Sequence, residues 1–195
     1  QNAEDMKKQL DRSLEMLKKL QVNEKIDDLE NELKDLAAKQ KELSENKEKN
    51  KDAQDDIKES FKEIEKDLKE LEDLNKELET PMNLSDTKDE QKEIEEKLDE
   101  AGEKIDKNKK SKASESQEEA AQKMEELAEK LDQMQQDSEQ AQEEEDMEDL
   151  RKILESLVIL SMDQELLMDK FNGVQINDPA FRKYGRKQRR INDDT

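Results

Sequence analysis

The stretch that decides the fold is residues 26–43, IDDLENELKDLAAKQKEL, where large apolar side chains recur at spacings of three and four. Residues at these spacings share one face of an α-helix, so the stretch predicts an amphipathic helix with a coiled-coil seam. Residues 57–78 repeat the pattern, and Gln40 and Asn75 occupy polar steps of the two seams. The apolar seam residues are Ile26, Leu29, Leu33, Leu36, Leu43, Ile57, Phe61, Ile64, Leu68, Leu71 and Leu78.

The polar stretch 46–56 separates the two seams. The gap from Leu43 to Ile57 is two whole heptads, so the second seam keeps the register of the first. This agreement favours one continuous helix over about residues 3–79. A flexible polar loop between two helices is the alternative for residues 46–56, and the sequence leaves both open.

A sharp stop follows at residues 80–87. Pro81 lacks an amide hydrogen and disfavours helical geometry in the residue before it, so the first helix should end near Glu79. Thr87 and Glu90 have the spacing of a capping box, which predicts that a second helix starts at about residue 88. Apolar periodicity then continues to residue 171, where Asn172 and Gly173 indicate a helix end.

Folding the chain back at this tip predicts an all-α fold, a long antiparallel helical hairpin (coiled coil) with a thicker multi-helix base. The polar stretch 46–56 then faces the small and polar patch of residues 113–120. We assign residues 1–171 to the hairpin (a helix over about 3–79, a tip at 80–87 and a helix over about 88–171). Residues 172–195 form a basic tail, a turn plus the start of a further helix.

The base of the hairpin is the expected site of packing or partner binding. Residues 150–171 are apolar on more than one stripe, which is typical of a helix with several neighbours. A homodimeric coiled coil is an alternative, because the seam also suits two copies. The residues predicted to pack or to bind a partner are Leu10, Leu14, Leu17, Ile153, Leu154, Leu157, Leu160, Leu167 and Phe171, and those predicted to form the tip are Pro81 and Thr87.

Composition weighs against most chemistries. Charged residues make up 48% of the 195 residues, the formal net charge is −21, and there is neither Cys nor His. Thiolate chemistry is therefore excluded, and the side chain most used in acid–base catalysis is missing. We assign no catalytic residue, no metal site and no cofactor, and we expect no enzyme. No apolar run approaches the roughly 20 residues of a membrane span, so no direct membrane insertion by this segment is expected.

The tail after Asn172 carries six basic against three acidic residues. Such a cluster can bind nucleic acid or anionic lipid. Against an acidic body that repels phosphate, we instead expect the tail to lie on that body or to begin a helix, without nucleic-acid binding.

Several irregular stretches, which heptad periodicity does not dictate, resemble the helical region of a family of large, membrane-anchored Gram-negative envelope proteins of unknown function. The matching stretches include Leu17–Val22 with Lys25 and Ile26, Leu78–Met82 with Asp86 and Thr87, Asn108–Ser114 before Ser116 and Gln117, Leu157–Glu165, and Asn177–Pro179.

The resemblance implies a coiled-coil segment of a membrane-anchored parent protein, placed in the cell envelope on the periplasmic side. It implies no catalytic residue. Our leading hypothesis is a structural or protein-interaction scaffold or spacer that contacts a protein partner, or itself, through the apolar base. The alternative is a chaperone-like or transport-linked module that grips apolar segments through residues 150–171.

Overall fold

In a computed structural model that describes residues 3–46, 50–173, 182–186 and 188, the protein is all-helical. The helices are α1 (Ala3–Glu45), α2 (Lys51–Lys76), α3 (Lys88–Asp106) and α4 (Lys110–Asn172), and residues 182–186 are also helical. The chain divides into two compact units, residues 1–139 (unit 1) and 140–195 (unit 2). The boundary lies inside α4, whereas the sequence suggested a division at residue 172.

Consecutive helices of unit 1 run antiparallel to one another. In each pair the contacting residue numbers rise along one helix and fall along the next, and the hydroxyl of Ser114 on α4 donates to the Ser44 carbonyl of α1 (2.8 Å). Unit 1 is therefore a four-helix antiparallel bundle. The pairs that define it are Lys25–Asp67 (3.1 Å) and Gln40–Gln54 (3.1 Å), Lys51–Asp106 (3.2 Å) and Lys58–Asp99, and Lys97–Glu119 (2.7 Å) and Glu93–Lys123.

One hydrophobic core runs through this bundle and uses the predicted seams. Of the eleven seam residues, all except the partly buried Leu43 lie in the core. α3 and α4 form the other side of this core, where alanines lie among the large apolar side chains. Their buried members are Ile94, Leu98, Ala120, Ala121, Met124, Leu127, Ala128, Leu131 and Met134.

The predicted continuous helix over 3–79 is wrong. α1 ends at Glu45 and α2 begins at Lys51, with the carboxamide Oδ1 of Asn50 accepting from the backbone N–H groups of Asp52 (3.0 Å) and Ala53 (3.4 Å). This cap satisfies amides that an interrupted helix leaves free. The chain reverses here because the seam of α2 can then bury against the seam of α1 in the same molecule, which a straight helix would not allow. The long two-armed hairpin is therefore replaced by a bundle of four shorter helices.

The second long helix is also interrupted. α3 ends at Asp106, and Asn108 adopts a left-handed backbone with φ 54°. The Asn108 N–H donates to the Ile105 carbonyl (2.9 Å), and the Lys109 N–H donates to the Lys104 carbonyl (2.8 Å). These two bonds make a Schellman motif, which ends a helix by reversing the handedness of one residue. The helix predicted over 88–171 is therefore two antiparallel helices.

Replacing Asn108 with glycine should raise the free energy of unfolding of unit 1 by about 0.5–1 kcal/mol, because glycine adopts positive φ without a Cβ clash. Asn108→Ala should lower it by about 1 kcal/mol, because alanine has a Cβ that clashes at positive φ and no polar side chain that can hydrogen-bond locally to offset this cost. Urea denaturation followed by circular dichroism measures both. An alanine variant as stable as the wild type would show that residue 108 does not need the left-handed conformation.

Candidate interaction surface

The largest exposed apolar feature of unit 2 lies on the carboxy-terminal half of α4, and we call it the apolar surface. Ten large apolar side chains between residues 147 and 168 are each 51–71% exposed. Exposed apolar patches of this kind usually mark sites where another molecule binds. The side chains are Met147, Leu150, Ile153, Leu154, Leu157, Val158, Ile159, Met162, Leu166 and Met168.

The residues predicted for the base fall into different environments within unit 2. Ile153, Leu154 and Leu157 are exposed. Leu160 is half-buried. Leu167 is buried, and the half-buried ring of Phe171 packs edge-on against Tyr184, with 5.8 Å between ring centroids. Binding of these residues to a partner stays a prediction.

The apolar stripe of α1 is exposed as well. Leu10, Leu14 and Leu17 are 70%, 54% and 59% exposed, and the packing predicted for them stays a prediction. Met6, Met16 and Leu20 on the same part of α1 are exposed too. The core of the bundle begins only at Val22.

The predicted tip is a loop between α2 and α3. Pro81 is exposed and Thr87 is buried. The Asn75 carboxamide holds the loop, since its Nδ2 donates to the Met82 carbonyl (2.9 Å) and its Oδ1 accepts from the Met82 N–H (2.8 Å). Asn75, the polar position of the seam, therefore supplies the hydrogen-bond partners that the backbone N–H and carbonyl of Met82 would otherwise lack in the turn.

The predicted capping box at the start of α3 does not form. Thr87 is the N-cap residue, but its hydroxyl accepts from the Gln91 amide (2.8 Å) instead of from a backbone N–H. Glu90 turns outwards to the ammonium of Lys130 on α4, a hydrogen bond that holds the pKa of Glu90 below its ordinary value. The Lys88 N–H likewise lowers the pKa of Asp86. Ion pairing between helices therefore prevails over the local cap.

A cavity of about 230 Å³ lies between this loop, α2 and α4. Its apolar floor includes Leu71, Leu131 and Met134, and charged side chains of both signs, Glu72 and Lys88 among them, stand at its rim. The lining has no convergent set of polar groups that would select a ligand.

A layer of buried amides crosses the bundle where the polar stretch faces the small-residue patch, as the sequence predicts. Gln40, Gln54 and Gln117 are each at most 1% exposed. The Oε1 of Gln54 accepts from the Nε2 of Gln40 (3.1 Å) and of Gln117 (2.7 Å), and the Nε2 of Gln54 donates to the Oε1 of Gln40 (3.4 Å). The sequence marks Gln40 as a polar position of the seam and places Gln54 and Gln117 in the two stretches that face each other. Periodicity does not indicate that the three amides are hydrogen-bonded to one another.

No family model, curated protein or solved structure matches the chain. Among the residues that the structure describes, no helix is long and apolar enough to cross a membrane. The same residues contain no group of three or more acidic side chains arranged to hold a metal ion. The turn predicted at Asn177–Pro179 lies outside the described residues.

Proposed function

We propose that the chain is a structural, protein-interaction scaffold that docks through the apolar surface to a protein partner, which is either a different protein or a second copy of the chain. The observation that carries this proposal is that ten large apolar side chains of one helix stand more than half exposed. Unit 1, by contrast, buries its seams in its own core. Covering an exposed Leu side chain fully contributes roughly 1.5–3 kcal/mol, so several together provide a strong drive for association. The multi-helix base predicted from the sequence would then form only when the partner is bound.

A second candidate is a chaperone-like or transport-linked module that grips apolar client segments through residues 150–171. It is supported by three methionines on the apolar surface, Met147, Met162 and Met168. Methionine is flexible and polarizable and suits surfaces that adapt to several partners. A scaffold should yield one complex of defined composition, whereas a client-binding module should yield many.

The sequence resemblance supports placing this scaffold in the cell envelope, on the periplasmic side of a membrane-anchored parent protein. In this proposal the segment itself is not inserted in the membrane, binds no nucleic acid or cofactor, and has no catalytic activity. Its role is to hold a partner at a fixed place on a stiff helical support.

The proposal predicts that Leu157→Asp weakens docking by at least about 2 kcal/mol, roughly thirtyfold in affinity, because the carboxylate would be buried against an apolar partner. Since Leu157 is 51% exposed, the thermal transition of unit 1 should stay unchanged. Docking is measured with a photo-crosslinking residue in place of Val158, in the protein expressed in its native cells. This residue forms a covalent adduct of defined mass with the docked partner.

Met16→Asp is the matched control, because it places the same carboxylate at an exposed apolar position of α1 (73%) that is not among the residues predicted to bind a partner. It should leave the adduct at residue 158 intact. No adduct at residue 158 in the otherwise unaltered protein, or an adduct that survives Leu157→Asp, would contradict the proposal.

A further inference from the structure

The apolar surface is flanked by opposite charges at its two ends. Immediately before Met147, α4 carries four exposed carboxylates in succession, which we call the acidic end. Beyond the other end of the apolar surface, the helical residues 182–186 carry three exposed cations, which we call the basic end. The acidic end is Glu143, Glu144, Glu145 and Asp146, and the basic end is Arg182, Lys183 and Arg186.

The position of the basic end is fixed by an aromatic contact within unit 2. Tyr184 lies between Lys183 and Arg186 in the chain, and its ring meets the ring of Phe171 edge-on, with an interplanar angle of 70°. The cations therefore lie beside the carboxyl end of α4. The 25 residues from Asp146 to Phe171 correspond to about 37 Å along the helix at ~1.5 Å per residue. The apolar surface occupies the interval between the two charged ends.

We propose, on the basis of the docking function proposed above, that the occupant of the apolar surface is the same surface of a second copy of this chain, packed antiparallel. Leu157 lies halfway along the exposed stretch from Met147 to Met168, so the two-fold axis passes close to Leu157. Met147 of one copy then lies opposite Met168 of the other. A two-fold interface is self-complementary, so each contact between two different residues occurs twice, once in each direction between the copies.

Charge selects this arrangement over a parallel one. In the antiparallel pair each acidic end faces the basic end of the other copy, at both ends of the interface. In a parallel pair the two acidic ends would lie side by side, and so would the two basic ends. Like charges brought together oppose association, whereas complementary ends fix both register and orientation. The apolar side chains drive the association, and the ends determine its direction.

Cysteine cross-linking tests the direction, because the chain contains no cysteine and any introduced thiol is unique. Leu157→Cys near the axis should form a disulfide-linked dimer by itself. Met147→Cys alone and Met168→Cys alone should not, but a mixture of these two variants should. Met6→Cys, exposed on unit 1, is the control and should form none. Cross-linking of Met147→Cys with itself would overturn the antiparallel arrangement.

Charge reversal tests the role of the two ends. Reversing the basic end with Arg182→Glu, Lys183→Glu and Arg186→Glu should raise the dissociation constant of the dimer at least tenfold in analytical ultracentrifugation. Adding Glu144→Lys, Glu145→Lys and Asp146→Lys to the same chain should restore it to within about threefold. The matched control is Lys109→Glu, Lys110→Glu and Lys112→Glu, which makes the same charge change at exposed sites of unit 1 and should have less than a twofold effect.

The outcomes separate this inference from the docking function. A wild-type chain that is monomeric at 100 μM, yet still gives a Leu157-dependent adduct with a different protein, overturns the second copy and leaves the docking function standing. A monomer without any adduct overturns both. A dimer unaffected by reversal of the basic end overturns the role of charge in setting the direction.

Discussion

Replacing Phe61 with alanine should lower the free energy of unfolding of unit 1 by about 3–5 kcal/mol, the largest effect of any single truncation considered. Phe61 is 0% exposed on α2 and lies in the core shared by all four helices of the bundle. The loss combines the transfer of a large apolar group to water with the cavity that its removal leaves. Because side chains in a protein core are closely packed, the neighbours of Phe61 can close that cavity only in part.

Thermal unfolding followed by circular dichroism measures this loss as a fall in melting temperature of roughly 10–20 °C for a unit of this size. Met16→Ala on α1 is the control, since Met16 is 73% exposed, and its effect should be within about 0.5 kcal/mol. Equal melting temperatures for the two variants would show that Phe61 is not buried in solution and that the antiparallel bundle is wrong.

Replacing Gln54 with methionine should cost about 2–4 kcal/mol although the two side chains have nearly the same size. The change removes three hydrogen bonds at once, two with Gln40 and one from Gln117. Gln40 is 0% exposed, so its amide would lose both bonds in a place that water does not reach. An amide left unsatisfied in a core costs more than the net gain of the bond that it once made.

The triple variant Gln40→Met, Gln54→Met and Gln117→Met should recover part of that loss. It removes the donors and the acceptors of these three bonds together, so the three substitutions are strongly non-additive. Urea denaturation of the single, double and triple variants measures this coupling. Additive losses over the series would contradict a shared hydrogen-bonded layer.

The prediction of individual helix faces from the sequence was accurate where the seam is strong. The spacing from Ile26 to Leu36 identified side chains that are at most 4% exposed in the bundle. The stop at Pro81, the new helix at Lys88 and the helix end at Asn172 also agree with the structure. Each of these features depends on neighbours within one or two turns of the same helix, which is the range over which sequence spacing carries information.

The prediction that the chain reverses only at the tip was wrong, because it also reverses between α1 and α2 and between α3 and α4. The gap of two heptads between Leu43 and Ile57 keeps the apolar positions in register both in one continuous helix and in two helices joined by a turn. Periodicity therefore could not distinguish one long helix from two antiparallel helices. Asn108 gave a similar ambiguity, because a polar residue inside a polar patch does not reveal a left-handed φ. Leu10, Leu14 and Leu17 lie before Val22, the first residue of the core of unit 1.

The sequence by itself determined that the chain is helical, which stripes of each helix are apolar, and that residues 150–171 are more apolar than one seam requires. Only the tertiary structure decided where the chain reverses and which stripes meet in the core of unit 1. The physical reason is that periodicity reports how a helix distributes its side chains around its own axis. Which surface covers a stripe depends on comparing the burial of every alternative arrangement, and that comparison involves residues far apart in the chain.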